Sequence, residues 1–284
     1  MPRRVVVAAL VLTLAGCGGA THHPQSRSHP AGRVAGSPGP HRSQLRTVPV
    51  LSLPAHPVAR TVRVPILTYH RVHTYATELT KSAPDLTVEP GTFAAEVAAL
   101  SRAGYHSVSQ TQLFDALYRG GRLPPKPVLL SFDDGYVDDV TQVLPVLRRY
   151  HMVATFYVIT GRFREPGFLT ARQVRELDAA GMDVGAHTRT HPPLAALAPA
   201  MLTREVAGSG SDLQRVLGHP VYWFAYPYGQ FDQAVIAAVR RAGFLLAVTT
   251  QGGTQASALQ PFTIPRLHIG RAATPAGVLG LVRG

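Results

Sequence analysis

Cysteine is nearly missing from this chain: its 284 residues contain one, Cys17. A lone thiol excludes an intramolecular disulfide framework and any cysteine-rich zinc module. Acidic residues are also scarce, 16 Asp and Glu against 28 Lys and Arg, for a formal net charge of +12. Charged residues of both signs make up only 15%, and hydrophobic ones 45%. That balance excludes acidic disorder and a multi-span membrane protein. The length leaves room for one large domain or two small ones, each with an adequate core.

The excess positive charge is local. Arg3 and Arg4 stand at the N-terminus, and residues 18–61 carry Arg27, Arg33, Arg42, Arg46 and Arg60 with no Asp, Glu or Lys. Without these seven the remaining charge is +5, an ordinary surface, so the high charge does not argue for a nucleic-acid partner. Behind the two arginines runs an apolar stretch over 5–15, then small residues, the order of an export signal too short to span a bilayer comfortably. Leu14-Ala15-Gly16-Cys17 resembles the bacterial lipobox, whose cysteine is acylated and becomes the new N-terminus; the alternative is a plain secretory signal with an incidental cysteine. Residues 18–61 are rich in Pro, Gly, Ser, His and Arg, too polar to offset the entropy of ordering. Their irregularly spaced histidines (His22, His23, His29, His41, His56) fit a solvated tether better than a metal site. The expected organisation is a signal over 1–17 with Cys17 as membrane anchor, a tether over 18–61, and one folded domain over 62–284.

In that domain short apolar runs predict strands over 64–69, 127–132, 153–159, 182–186, 221–226, 244–249 and 262–269. Amphipathic stretches predict helices over 92–103, 110–118, 139–149, 170–180, 200–217, 231–242 and 275–282. This alternation gives an α/β domain with a parallel sheet. Six or seven units favour a closed or nearly closed barrel, with chemistry at the C-terminal ends of the strands.

Two clusters stand at such ends. Asp133-Asp134-Gly135 follows a buried strand, and adjacent carboxylates there are costly unless something binds them; an Asp-Asp-Gly turn with capping duty is the plain alternative. His187-Thr188-Arg189-Thr190-His191 follows another. Its imidazoles can converge on one metal ion, or serve as one capping and one surface histidine. Two His with Asp134 would leave positions open for water and substrate, as in a catalytic metal site.

Phe132-Asp133-Asp134-Gly135, the histidine pair at 187 and 191, and Tyr226-Pro227-Tyr228-Gly229 together resemble, in order and spacing, three motifs of the polysaccharide deacetylase family (NodB-homology domain, carbohydrate esterase family four). The resemblance covers roughly residues 62–284. It implies a deformed (β/α) barrel as a single catalytic domain, and metal-dependent removal of N-acetyl groups from an extracellular N-acetylglucosamine polymer, of biofilm type or peptidoglycan. An acetyl esterase acting on xylan-type glycans is the close alternative, and an inactive carbohydrate-binding lipoprotein the remote one. By motif position Asp134, His187 and His191 would hold the metal, Zn²⁺ first and Co²⁺ or Ni²⁺ as substitutes. Asp133 would be the catalytic base and the Tyr228 N–H an oxyanion donor. Tyr226 and Trp223 are candidate sugar platforms, and Leu267 a wall of the acetyl pocket.

The chain departs from the family at two points. Ala225 stands where many relatives carry an arginine that holds the base, and Arg266 is the candidate replacement. No Asp-containing fourth motif is recognisable over 245–253. The general acid is therefore either His268, in the last motif, or His70, since Tyr69-His70-Arg71-Val72 resembles the exported poly-N-acetylglucosamine deacetylases; the missing Asp favours His70. The implied partners are a polysaccharide and, through Cys17, a membrane, with no nucleic acid and a monomeric enzyme exported to the outer face of the cell membrane.

Overall fold

A computed structural model describes residues 49–75 and 84–284. Cys17, the signal and tether residues 18–48 lie outside the described residues. The elements run in chain order as β1 (Thr61–Arg63), β2 (Ile66–Tyr69), β3 (Arg71–Val72), β4 (Thr87–Val88), α1 (Pro90–Arg102), β5 (His106–Ser107), α2 (Gln110–Tyr118) and β6 (Pro127–Phe132). After these come α3 (Leu144–Arg149), β7 (Thr155–Val158), α4 (Ala171–Ala179), β8 (Asp183–Ala186), α5 (Pro199–Leu217) and β9 (Trp223–Ala225). The chain ends with α6 (Gln233–Arg241), β10 (Leu246–Val248), β11 (Gln255–Ser257), β12 (Leu267–His268) and α7 (Pro275–Arg283).

The main sheet has the order β10-β9-β8-β7-β6-β2-β12, with β5 beside the start of β6, and every pairing in it is parallel. Alternation along each strand sorts side chains between two cores. Val128, Leu130 and Phe132 of β6 and Phe224 of β9 face an outer core with Val97 and Leu100 of α1, Val174 and Leu177 of α4, and Val206 and Leu213 of α5. Leu129, Trp223 and Ala225 face an inner core, which α2 joins through Leu113, Phe114 and Leu117. Side chains thus fill the interior of the curled sheet, and the strand ends remain for chemistry. Ser109 and Thr170 start α2 and α4 with capping boxes to Gln112 and Gln173. Among the described residues no helix is long and apolar enough to cross a membrane.

Two expected elements take a different form. The strand expected over 262–269 is broken: Ile264 makes an isolated parallel bridge to Val248, and only Leu267 and His268 pair regularly, with β2. Pro265 lies between the two pairings and has no N–H to donate, so the segment changes partner there. The strand bridges both edges of the sheet and forms its seam. The helix expected over 139–149 opens with a π-turn, Asp139–Val143, before α3, because Pro145 cannot supply the donor that regular α-winding needs.

Candidate active site

The polar side chains singled out in the sequence gather at the C-terminal ends of β2, β6, β8 and β9 and on the seam. A cavity of about 300 Å³ there is lined by His70, Asp133, Asp134, His187, His191, Tyr226, Tyr228 and His268, with Leu86 and Thr250. Phe132 ends β6, and Asp134 turns away from it at φ 78 with Gly135 at φ 76, so Asp133 and Asp134 both face the cavity. A Cβ on Gly135 would lie 2.9 Å from Val158, which excludes larger residues at the turn.

One ligand atom from each of Asp134, His187 and His191 can be chosen so that all lie within 4.8 Å of one another; among the described residues this is the one group of its kind. The Nε2 atoms of His187 and His191 lie 3.5 and 3.6 Å from Asp134 Oδ1. His187 Nδ1 lies 2.8 Å from the Ala225 carbonyl, which can only accept, so Nδ1 carries the proton and Nε2 offers a lone pair toward Asp134. Burial, then the neighbouring His187, brings the His191 pKa down to about 4 despite Asp134 and Asp133, so this ring is neutral near pH 7. A bare carboxylate oxygen facing two ring nitrogens, at least one with its lone pair forward, is an arrangement that a cation reconciles, and the donor set suits a divalent metal.

The loop bearing both histidines is strained. Thr188 and His191 have φ 64 and 61, a left-handed conformation that costs non-glycine residues about 1–3 kcal/mol each and persists only where the surroundings enforce it.

Asp133 is fully buried beside this group and meets Arg266 fork to fork, with Nη1–Oδ1 at 2.8 Å and Nη2–Oδ2 at 2.7 Å. Arg266 Nε donates to the Thr249 carbonyl at 2.9 Å and Nη1 also to Ser131 Oγ at 3.2 Å. Burial alone would push the Asp133 carboxyl up, but the charge and hydrogen bonds of Arg266, helped by His187 and His70, hold it well below the usual carboxylate range. Asp133 is therefore an ionised, oriented carboxylate with its proton affinity turned down.

The family profile described as polysaccharide deacetylase matches residues 120–247. Deacetylase PplD of Streptococcus pyogenes, solved in complex with acetate, is 30% identical with a TM-score of 0.73, over 78% of this chain and 99% of that one. The chain belongs to the polysaccharide deacetylase family. Bacillus subtilis YxkH, named provisionally as a polysaccharide deacetylase, is 27% identical over 73% of this chain and 71% of its own. The poly-β-1,6-N-acetyl-D-glucosamine N-deacetylase of Escherichia coli K12 is 27% identical over 60% of this chain and 32% of that protein. Membership makes this protein an amide-hydrolysing deacetylase.

In this deacetylase His70 directly follows β2 and His268 lies on the neighbouring β12, and their rings meet edge-on, 5.8 Å apart. His70 Nδ1 is buried without a hydrogen-bond partner. Burial, ahead of the opposing pull of Asp133 and Asp134, lowers its pKa. His268 is exposed. Tyr228 is 58% exposed and sets its ring against His191 at 4.6 Å between centroids.

The aromatic expectations need correction. Trp223 is buried among Phe114 and Tyr222 of the inner core and does not line the cavity, because its position on β9 points inward while the site opens at the strand's end. Tyr226 touches the cavity, but its ring is 1% exposed and packs on Phe224 and Phe231 in the outer core, so it offers no open sugar platform. Leu267 packs partly buried against the outer core and is not among the cavity's lining residues.

The reading of the sequence missed Ser131 and Thr249, which hold Arg266, and Glu205 and Asp212 on α5, which hold the loop at 187–191. One signal was present: Gly208, inside a helix, costs about 1 kcal/mol relative to Ala and marks a close approach.

Proposed function

We propose that this enzyme is a metal-dependent de-N-acetylase of an extracellular N-acetylglucosamine polymer, exported and held at the outer face of the membrane by acylated Cys17, and active as a monomer. The observation that carries the reading is the ionised Asp133, gripped by Arg266, beside the Asp134, His187 and His191 group. A divalent ion, Zn²⁺ first and Co²⁺ or Ni²⁺ as substitutes, would be held by those three residues and would polarise the acetyl carbonyl and acidify the attacking water.

The rest falls to the chain itself. Asp133 takes the proton from water, a role worth about 10²–10⁴ in rate, and Arg266 keeps its oxygens aimed. The backbone N–H of Tyr228 donates to the oxygen where negative charge develops, and the exposed Tyr228 ring takes the face of a sugar. The proton that Asp133 takes from water passes to His70, which gives it to the departing amine, with His268 beside it contributing to binding. The name of the Escherichia coli relative, together with the tether and lipobox of the sequence, supports a cell-envelope or biofilm glucosamine polymer over a plant glycan.

The test is acetate release from β-1,6- and β-1,4-linked N-acetylglucosamine oligomers, peptidoglycan and acetylxylan, with and without chelator. The expected result is release from an N-acetylglucosamine substrate, lost on chelation and restored by Zn²⁺. Release unaffected by complete metal removal overturns the metal reading, and release from acetylxylan alone makes the enzyme an esterase.

A further inference from the structure

The loop between His187 and His191 is gripped by a helix that contributes nothing to the cavity's lining. Glu205 of α5 is buried; its Oε2 accepts the N–H groups of Arg189 and Thr190, each at 2.9 Å, and its Oε1 accepts Thr190 Oγ1 at 2.8 Å. Two helical turns on, Asp212 takes Arg189 through Nε at 2.7 Å and Nη2 at 2.8 Å, and also accepts Thr160 Oγ1 at 3.0 Å. Between them, a Cβ on Gly208 would lie 2.6 Å from Arg189 Nε, so the helix must be bare there for the guanidinium to lie along it. From the other side Thr160 N–H donates to Thr188 O at 3.1 Å and Gly161 N–H to Arg189 O at 2.9 Å. His191 N–H closes onto Thr188 Oγ1 at 2.9 Å.

The two histidines depend on this grip unequally. His187 follows directly from β8 and its ring is fixed by the Ala225 carbonyl. The His191 ring meets the rings of His187 and Tyr228 and approaches Asp134 at 3.6 Å, with no hydrogen bond to a backbone carbonyl like that of His187 among the bonds of the described residues. Its position is set by the backbone, which is left-handed at Thr188 and again at His191. Without an external hold such backbone relaxes.

We infer that Glu205, with Asp212 as its second point of attachment, is a positioning residue that holds His191, and not His187, in ligand geometry. This rests on the metal reading above. Substituting such a supporting group typically costs about 10–100-fold in metal affinity. Gln at 205 can still accept both N–H groups with its carbonyl oxygen; Ala cannot.

The test is the zinc affinity of the full chain, measured by competition with a chromophoric chelator. Glu205→Ala is expected to weaken binding by about 10–100-fold and Glu205→Gln by less than about threefold. The sharper readout is a double-mutant cycle. In a His191→Ala background Glu205→Ala is expected to change affinity no further, whereas in a His187→Ala background it keeps its full effect. A purely structural role for Glu205 would give the same loss in both backgrounds and overturn the inference, as would unchanged affinity in Glu205→Ala. If Glu205→Ala does not fold, Asp212→Asn carries the test: a several-fold loss supports the inference and unaltered affinity overturns it. Wild-type protein that binds no zinc removes the metal reading and this inference with it; a wild type that binds zinc while the cycle is additive removes only the inference.

Discussion

Arg266 and Asp133 meet as two forks, at 2.8 and 2.7 Å, although 133 positions separate them in the chain. The pair is almost wholly shielded from water, so removing one partner strands the other's charge. Arg266→Ala is expected to lower thermal stability by roughly 3–5 kcal/mol and turnover by about 100-fold or more, as for loss of a general base. The sign of the pH effect follows from the ion pair. Arg266 holds the Asp133 carboxyl low, so in the variant its pKa rises and the acid limb of kcat/KM moves to higher pH. An unaltered limb with normal turnover would mean that Arg266 is not the cation that sets the base.

His70 and His268 can be separated by turnover. His70→Ala is expected to cost about 100-fold in kcat, as for a general acid, and His268→Ala mainly to raise KM. Steady-state kinetics on one oligomer decides it. The opposite pattern would hand the proton donor's role to His268.

Tyr228 and Trp223 should behave in opposite ways, because one ring is exposed at the cavity and the other is in the core. Tyr228→Ala is expected to raise KM by about 3–10-fold, the scale of a lost aromatic contact, with little change in melting temperature. Trp223→Ala should cost about 3–5 kcal/mol of stability. Parallel thermal melts and KM measurements check both.

Glu96 gives the fold its own pH dependence. Burial raises its pKa from 4.5 to about 7, although the Tyr69 hydroxyl donates to it at 3.1 Å and works the other way. Its folded pKa lies above its unfolded one, so the associated stability is fully present below about pH 4.5 and is lost as pH rises through about 7. At about 1.4 kcal/mol per unit the change is at most roughly 3.5 kcal/mol. Glu96→Gln keeps an acceptor for Tyr69 and should flatten stability between pH 4.5 and 7, read by denaturant midpoints across that range.

Cys17→Ser is expected to move the protein from the membrane to the soluble fraction of its host without changing activity on a soluble oligomer. Fractionation with an activity assay tests this; membrane retention would replace the lipid with another means of attachment.

Much of the fold was legible because strand runs such as 127–132 are apolar and bounded by Pro and Asp, and because His70, Asp133 and His187 each follow such a run directly. The position of Arg266 against Asp133 could be guessed from a missing arginine at Ala225, a local clue to a distant pairing. Trp223 misled because a residue's side of a strand is not written in its type: Ala225, two positions on, shares the inner face while Phe224 faces outward. The grip of Glu205 and Asp212 on the 187–191 loop was illegible for another reason. It joins a helix face to a turn partly through backbone N–H groups, which every residue type presents alike, and partly through side chains, Arg189 on Asp212 and Thr190 on Glu205, that lie far apart in the chain.

The seam that carries Arg266 also sets a timetable. On the ribosome the carboxylate pair at 133 and 134 is made long before residue 266, and until the closing segment docks Asp133 has no counter-charge to hold it. The site is therefore completed by its last strand: a chain that lacks the closing segment carries the histidines and carboxylates but not the guanidinium that orients Asp133.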